Sequence, residues 1–355
     1  MNSPTPKPRS TPKYLNNFRD PVGLARRMLM SCNPAAYWAM AREGLRPLAM
    51  PADWMLQRRE RKLLAKNVAL TKPVILLIGP PRAGTTVLYQ LLADCLDTTW
   101  FPNVSEMFPR APIAASKIFA WKRKRTTKLR SFYGQTSGLS APNDAFHIWN
   151  RWLGTDRYKP VLRANAEPEM LQFLATWTEA FGKPLVNKNN RNTLCIGMLS
   201  RAIPTAHVVV LRREAADIAR SLIRAREFVQ GDKSDAWGLA SRSQNVDDPL
   251  GYVTDVCDQI GDIHTQLAEQ LVQIDPARLT ETTFEELCAD PQRVVEKIAF
   301  ASGVALREPQ SASFGHLRIP SSRPLSDAEE ARLAEQLDRM RGIVNTPPSI
   351  NRTHA

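Results

Sequence analysis

Apolar positions along the chain gather in a few short continuous runs, separated by longer stretches of helical period. Val74 to Ile78 are five apolar residues in succession, the pattern of a strand buried on both faces, and Gly79 and Pro80 end the run. After it, Val87, Leu88, Leu91, Leu92, Cys95 and Leu96 recur at helical spacing, which predicts a strand, a glycine-rich turn and a helix. A second run, HVVVL at 207–211, passes through Arg212 and Arg213 into a segment where Ile218, Leu222 and Ala225 keep the helical period. Shorter strand candidates are 184–188 and 278–284; the second leads to a helix begun by Asp290-Pro291 and stopped near Gly303. A capping box at Ser326 and Glu329 opens a last helix that ends near Gly342. Ahead of the first strand, Asp20-Pro21 and Asn33-Pro34 read as helix starts, Gly44 as the stop of the second helix, and 52–66 as a further basic helix.

Strands alternating with helices predict an α/β fold, a mainly parallel sheet flanked by helices with a helical N-terminal extension. The expected division is a disordered basic tail at 1–13, the helical extension at 14–70, the α/β domain at 71–320, and a C-terminal helix and tail at 321–355. A chain of 355 residues with 43% hydrophobic content is long enough for one large core. No run approaches the roughly 18 to 20 apolar residues of a membrane span, and the N-terminus lacks the apolar core of a secretory signal; a soluble, cytoplasmic protein is expected. The five cysteines stand singly, with neither a disulfide framework nor a zinc-ligand spacing, so no metal is expected.

Charge adds a bias. The formal net charge is +13, and residues 1–130 hold 23 Lys and Arg against 7 Asp and Glu, while 131–355 hold 25 against 28. Such a balance favours anionic partners: nucleotide, nucleic acid, acidic glycan or anionic lipid. The run 117–130, with seven basic residues and no acidic one, reads as a solvated helix face or as a guide for an anionic acceptor or membrane surface. Phe101, Phe108, Phe119, Trp121, Phe132, Phe146, Trp149 and Trp152 read as core or as the lining of an apolar acceptor pocket.

The turn after the first strand carries the chemistry. GPPRAGTT spaces Gly79 and Gly84 five apart between a buried strand and a helix, so backbone N–H groups and the positive helix end face one spot, an anion site. Thr85 stands where a nucleotide triphosphatase carries lysine, and VVVL is followed by two arginines rather than an aspartate for magnesium. The loop therefore suits a shorter, diphosphate-like group held without magnesium, with Arg82 and the Thr85 and Thr86 hydroxyls as extra donors. Two rivals are a nucleotide kinase or hydrolase, which the missing lysine disfavours, and a nucleic-acid-binding protein, for which no recognised module is present.

GPPRAGTTVLYQLL resembles the 5'-phosphosulfate loop of the sulfotransferases that use 3'-phosphoadenosine-5'-phosphosulfate, with Ala83 where that family has serine. RREAADIARSL is similar to the family's second motif, whose first arginine and final serine bind the 3'-phosphate and fall on Arg213 and Ser221. TTFEELCADP resembles a third family segment, with Phe284 in place of tyrosine. The likeness covers about 72–303 and is nearest to the bacterial and protein-tyrosine branch. It implies transfer of a sulfuryl group from that nucleotide to a hydroxyl or amine of a small-molecule, glycan or lipid acceptor, with no metal and no nucleic-acid partner. It also implies donor contacts from Pro81, Arg82, Ala83, Gly84, Thr85, Thr86, Arg213 and Ser221, with Glu106 as general base and Lys188 stabilising the transferring group. A lysine at the end of an apolar strand is costly to bury without an anion to meet it, which supports Lys188. His147 is the second candidate for the base, because imidazole titrates near neutrality. Asn190 stands where the family has proline, so a different local turn is expected.

Overall fold

The computed structural model describes residues 20–119, 131–156, 159–239, 248–307 and 324–344. In chain order the elements are α1 (Pro21–Met30), α2 (Pro34–Leu64), β1 (Val74–Ile78), α3 (Thr85–Cys95), α4 (Val104–Met107) and α5 (Pro112–Phe119). There follow β2 (Ser131–Phe132), β3 (Gln135–Thr136), α6 (Phe146–Leu153), α7 (Ala166–Phe181), β4 (Leu185–Lys188), a 3-10 turn (Asn190–Cys195), α8 (Ile196–Ala202) and β5 (Ala206–Arg212). The rest comprises α9 (Ala215–Gln230), α10 (Gly251–Leu271), β6 (Leu279–Thr283), α11 (Phe284–Ala289), α12 (Pro291–Ser302) and α13 (Asp327–Val344).

Four parallel strands form the main sheet in the order β4-β1-β5-β6. All five β1 residues are buried because the sheet is covered on both faces. Val74, Leu76 and Ile78 pack among Trp149, Trp152, Phe173 and Trp177 of α6 and α7, whereas Ile75 and Leu77 pack among side chains of α3, α11 and α12. Phe101, Trp149 and Trp152 are therefore core. β1 lies in the interior of the sheet, with β4 added on one side and β5 and β6 on the other, so the strand order turns beside it. Ligands of open α/β sheets sit at that place, beyond the carboxyl ends of the strands. Gly79, Lys188, Arg213 and Phe284 each follow or close a strand at this one edge.

One expectation is overturned. Gly44 does not stop the second helix, and no separate helix begins at 52: α2 runs through Gly44, Pro47 and Pro51 to Leu64. Each internal proline removes a helix hydrogen bond. The inner face compensates, because Ala35, Ala36, Ala39, Arg42, Asp53 and Glu60 are all buried against the body, while Pro47 and Pro51 face solvent. Tertiary packing thus outweighs local propensity. The two-residue strands β2 and β3 form an antiparallel hairpin whose tip, Tyr133-Gly134, has positive φ at both positions (45° and 91°). Of the basic run 117–130, residues 120–130 lie outside the described part, as does the tail at 1–13. No helix among the described residues is long and apolar enough to cross a membrane.

Candidate active site

The loop between β1 and α3 is fixed by shape. Gly84 has φ 97°, and a Cβ there would lie 2.3 Å from the Phe284 ring; a Cβ on Gly79 would lie 2.5 Å from the Leu211 carbonyl oxygen. Thr193 pins the start of the loop, its hydroxyl accepting from Gly79 N–H (3.2 Å) and donating to the Gly79 carbonyl (3.1 Å). Ala83 is fully buried against Ala215, Ile218 and Ala219 of α9, which accounts for a small apolar residue in place of serine. The Thr85 hydroxyl donates to Asn190 Oδ1 (3.2 Å), so the residue replacing the expected proline serves as a partner of the loop. The first turn of α3 leaves N–H groups without helical acceptors, directed beyond the strand edge.

The second motif converges on the same loop. Arg82, itself at φ 72°, donates from Nε to Ser221 Oγ (2.9 Å) and stacks over Tyr133, 5.1 Å from the ring centre. Arg213 donates from Nη1 to the Arg82 carbonyl (3.2 Å) and from Nη2 to Asp217 (3.2 Å), and it lies 4.6 Å over the Phe284 ring. The eight-residue spacing from Arg213 to Ser221 does place both groups around Arg82.

Across from these, Lys188 closes β4. Its side chain is 1% exposed and its amine is held by both oxygens of Asp144 at 2.8 and 2.9 Å. The Lys188 amine and the Thr86 hydroxyl lie within 4.0 Å of the point where a Cβ on Gly134 would stand, so the hairpin tip, Lys188 and Thr86 share one small space.

Glu106 lies one hydrogen bond further out. Asn143 donates to its Oε2 at 3.1 Å, and Asp144, the next residue, holds Lys188, so two consecutive side chains tie the two predicted catalytic groups together. Asn143 is anchored by donating to Asn103 (2.8 Å) and accepting from Ala145 N–H (2.6 Å), which holds Ala145 at its left-handed φ of 54°. The Arg42 guanidinium of α2 pairs with Glu106 Oε2. Burial pushes the Glu106 carboxyl up, against the pull of Arg42 and the Asn143 amide. His147 Nδ1 is 3.9 Å from Glu106 Oε1, beyond hydrogen-bond distance. Burial, reinforced by Arg151, Arg46 and Arg42, brings His147 down to about 3.

A model described as the sulfotransferase family matches residues 73–308. The chain belongs to the sulfotransferase family. Among solved structures, this sulfotransferase is similar to one from Mycobacterium tuberculosis, with 15% identity and a TM-score of 0.51 over 79% of this chain and 81% of the other. It is also similar to one from Mycobacterium avium, with 16% identity and a TM-score of 0.47 over 90% and 78%. The first likeness extends to the fold. No curated protein matches the sequence.

Of the site residues named from the sequence of this sulfotransferase, Arg213 and Ser221 contact Arg82 of the loop, Lys188 shares a space with Thr86, and Glu106 lies further out, joined to Lys188 through Asn143 and Asp144. What the sequence did not single out are the residues that hold them: Arg42, Thr193, Asn143, Asp144 and the hairpin tip. Asn143-Asp144 carried a local signal, a polar pair before a helix, but nothing in the sequence indicated that it faced Lys188 and Glu106.

Proposed function

We propose that this sulfotransferase moves a sulfuryl group from 3'-phosphoadenosine-5'-phosphosulfate to a hydroxyl or amine of its acceptor. The observation that carries the reading is the meeting of Arg82, Arg213 and Ser221 at the start of α3, with Lys188 and Thr86 under the adjoining hairpin tip. These residues suit the donor. The free N–H groups of α3, the Thr85 and Thr86 hydroxyls and the backbone of Pro81 to Gly84 hold the 5'-phosphosulfate. Arg213 and Ser221 hold the 3'-phosphate, releasing part of their present engagement with Arg82.

Glu106 takes the acceptor's proton as the acceptor oxygen or nitrogen bonds to sulfur. The bond from sulfur to the bridging oxygen breaks, and its electron pair leaves with 3'-phosphoadenosine-5'-phosphate. Lys188 meets the negative charge growing on that bridging oxygen, a fixed charge in a buried setting. His147, held near 3, is neutral at working pH and a poor proton acceptor, so the base role falls to Glu106. A thermal-shift comparison tests the donor: 3'-phosphoadenosine-5'-phosphate should raise the melting temperature more than ATP with magnesium does, since only a ligand of the native state stabilises it. ATP giving the larger shift would remove the reading.

A further inference from the structure

Arg42, one of the residues that hold Glu106, lies on a helix outside the nucleotide motifs. On its inner face α2 carries three buried ionisable side chains, Arg42, Asp53 and Glu60, and each reaches the segment that follows Glu106 or Glu106 itself. Asp53 accepts from the N–H groups of Arg110 and Ala111, each at 3.1 Å. Glu60 accepts from the N–H groups of Ile113 (3.2 Å) and Ala114 (2.8 Å), capping the first turn of α5. Ala49, Ala52 and Leu56 pack between them against Val104, Met107 and Phe108. The helix is thus fastened along the whole stretch 104–114, and this sets the place of Arg42 against Glu106.

From this geometry we infer that α2 is a working part of the site and that Arg42 is a positioning residue, which aims the Glu106 carboxylate and keeps it charged. The inference rests on Glu106 being the base. A carboxylate with a side chain 22% exposed tends to take up a proton unless a cation meets it, and the Arg42 side chain, 8% exposed, is close enough and dry enough to do so. The other groups facing Glu106 do not replace it. Glu43 of α2 and Asp144 are anionic, Asn143 is neutral, and His147 of α6 is uncharged. Lys188 is committed to Asp144. Glu43, bound to Arg42 at 3.1 Å with a side chain 60% exposed, competes for the same guanidinium.

The experiment is a pH profile of kcat/KM for wild type, Arg42→Met, Arg42→Lys and Glu43→Gln, with side-chain carboxyl 13C NMR of Glu106 assigned by difference against Glu106→Gln. Arg42→Met should move the acidic limb and the Glu106 titration upward by about one pH unit or more, with activity recovering at alkaline pH. Arg42→Lys should move both less. Glu43→Gln, an exposed change that leaves the packing intact, should move both downward, and Arg42→Lys decides the matter if Arg42→Met does not fold. An unchanged Glu106 titration in Glu43→Gln and Arg42→Lys would overturn the inference. Full turnover in Glu106→Gln would overturn the base reading beneath it, a separate result, since the NMR titration reports on Arg42 whether or not Glu106 is the base.

Discussion

The loop at 79–86 and the helix α2 both serve the space beyond the strand edge, yet they are fixed by different forces. The loop is held by shape: two glycines with no room for a side chain, a buried alanine against α9, and a threonine that ties Gly79 from both sides. α2 is held largely by buried polar contacts: three ionisable side chains, one paired with a charge and two with backbone N–H groups, whose partners lie more than fifty residues away in the chain. A backbone shaped by sterics presents the same donors at any pH. Buried charges hold only while they stay paired, because an unpaired one is expensive to keep from water. On the proposed reading, the loop that would hold the nucleotide should therefore be indifferent to pH where the half around Glu106 is sensitive.

The largest effect expected is from Glu106→Gln, which keeps the shape of the base half and removes its proton acceptor. Turnover should fall on the order of 100-fold to 10,000-fold while affinity for 3'-phosphoadenosine-5'-phosphate stays near wild type; a parallel loss of nucleotide affinity in calorimetry would erase the division between the halves. Lys188→Ala comes next, at roughly 100-fold to 1,000-fold in kcat with a smaller change in product binding, because one charge-stabilising donor is lost. Single-turnover measurement of sulfuryl transfer separates this from slow product release.

On the loop side, Arg213→Ala should cost about 10-fold to 150-fold in affinity for the 3',5'-bisphosphate and scarcely affect the 5'-monophosphate, with Ser221→Ala acting in the same direction but less. Titration calorimetry with both nucleotides checks it, and equal losses for the two would make the arginine structural. The smallest effect concerns stability. Burial pushes the Glu60 carboxyl from 4.5 up to about 7, so the folded protein binds this proton more tightly than the unfolded chain does. Stability should consequently fall as pH rises through about 4.5 to 7, with Glu60 contributing on the order of 1 to 2 kcal/mol of the slope. Denaturant midpoints of Glu60→Gln should show that part of the slope flattened, and an unaltered slope would mean that Glu60 is already ionised when folded.

The same contrast explains what could be read from the sequence. β1, the loop and α3 were legible because a run of five apolar residues, two glycines and a helical period are neighbours in the chain; β5 with α9 was legible for the same reason. The continuity of α2 was not, since Gly44, Pro47 and Pro51 argue locally for a break and only burial on the far face argues against it. Arg42 falls in one expected helix, stopped at Gly44, and Asp53 and Glu60 in another, the basic helix at 52–66, and nothing local marks them until their partners at 106–114 are known. Asp144 is equally silent, for its role depends on Lys188, forty-four residues on.

The Phe284 ring fills the space that any side chain on Gly84 would need and also lies under the Arg213 guanidinium, so a single aromatic at the end of β6 braces both nucleotide motifs. During synthesis Gly84 is made two hundred residues before that ring. β1 has no strand partners until β4 and β5 are made, and the loop after it has no floor until Phe284 has docked. The loop is thus unfinished until the sheet is complete, and a chain ending before Phe284 carries both motifs without the ring that braces them.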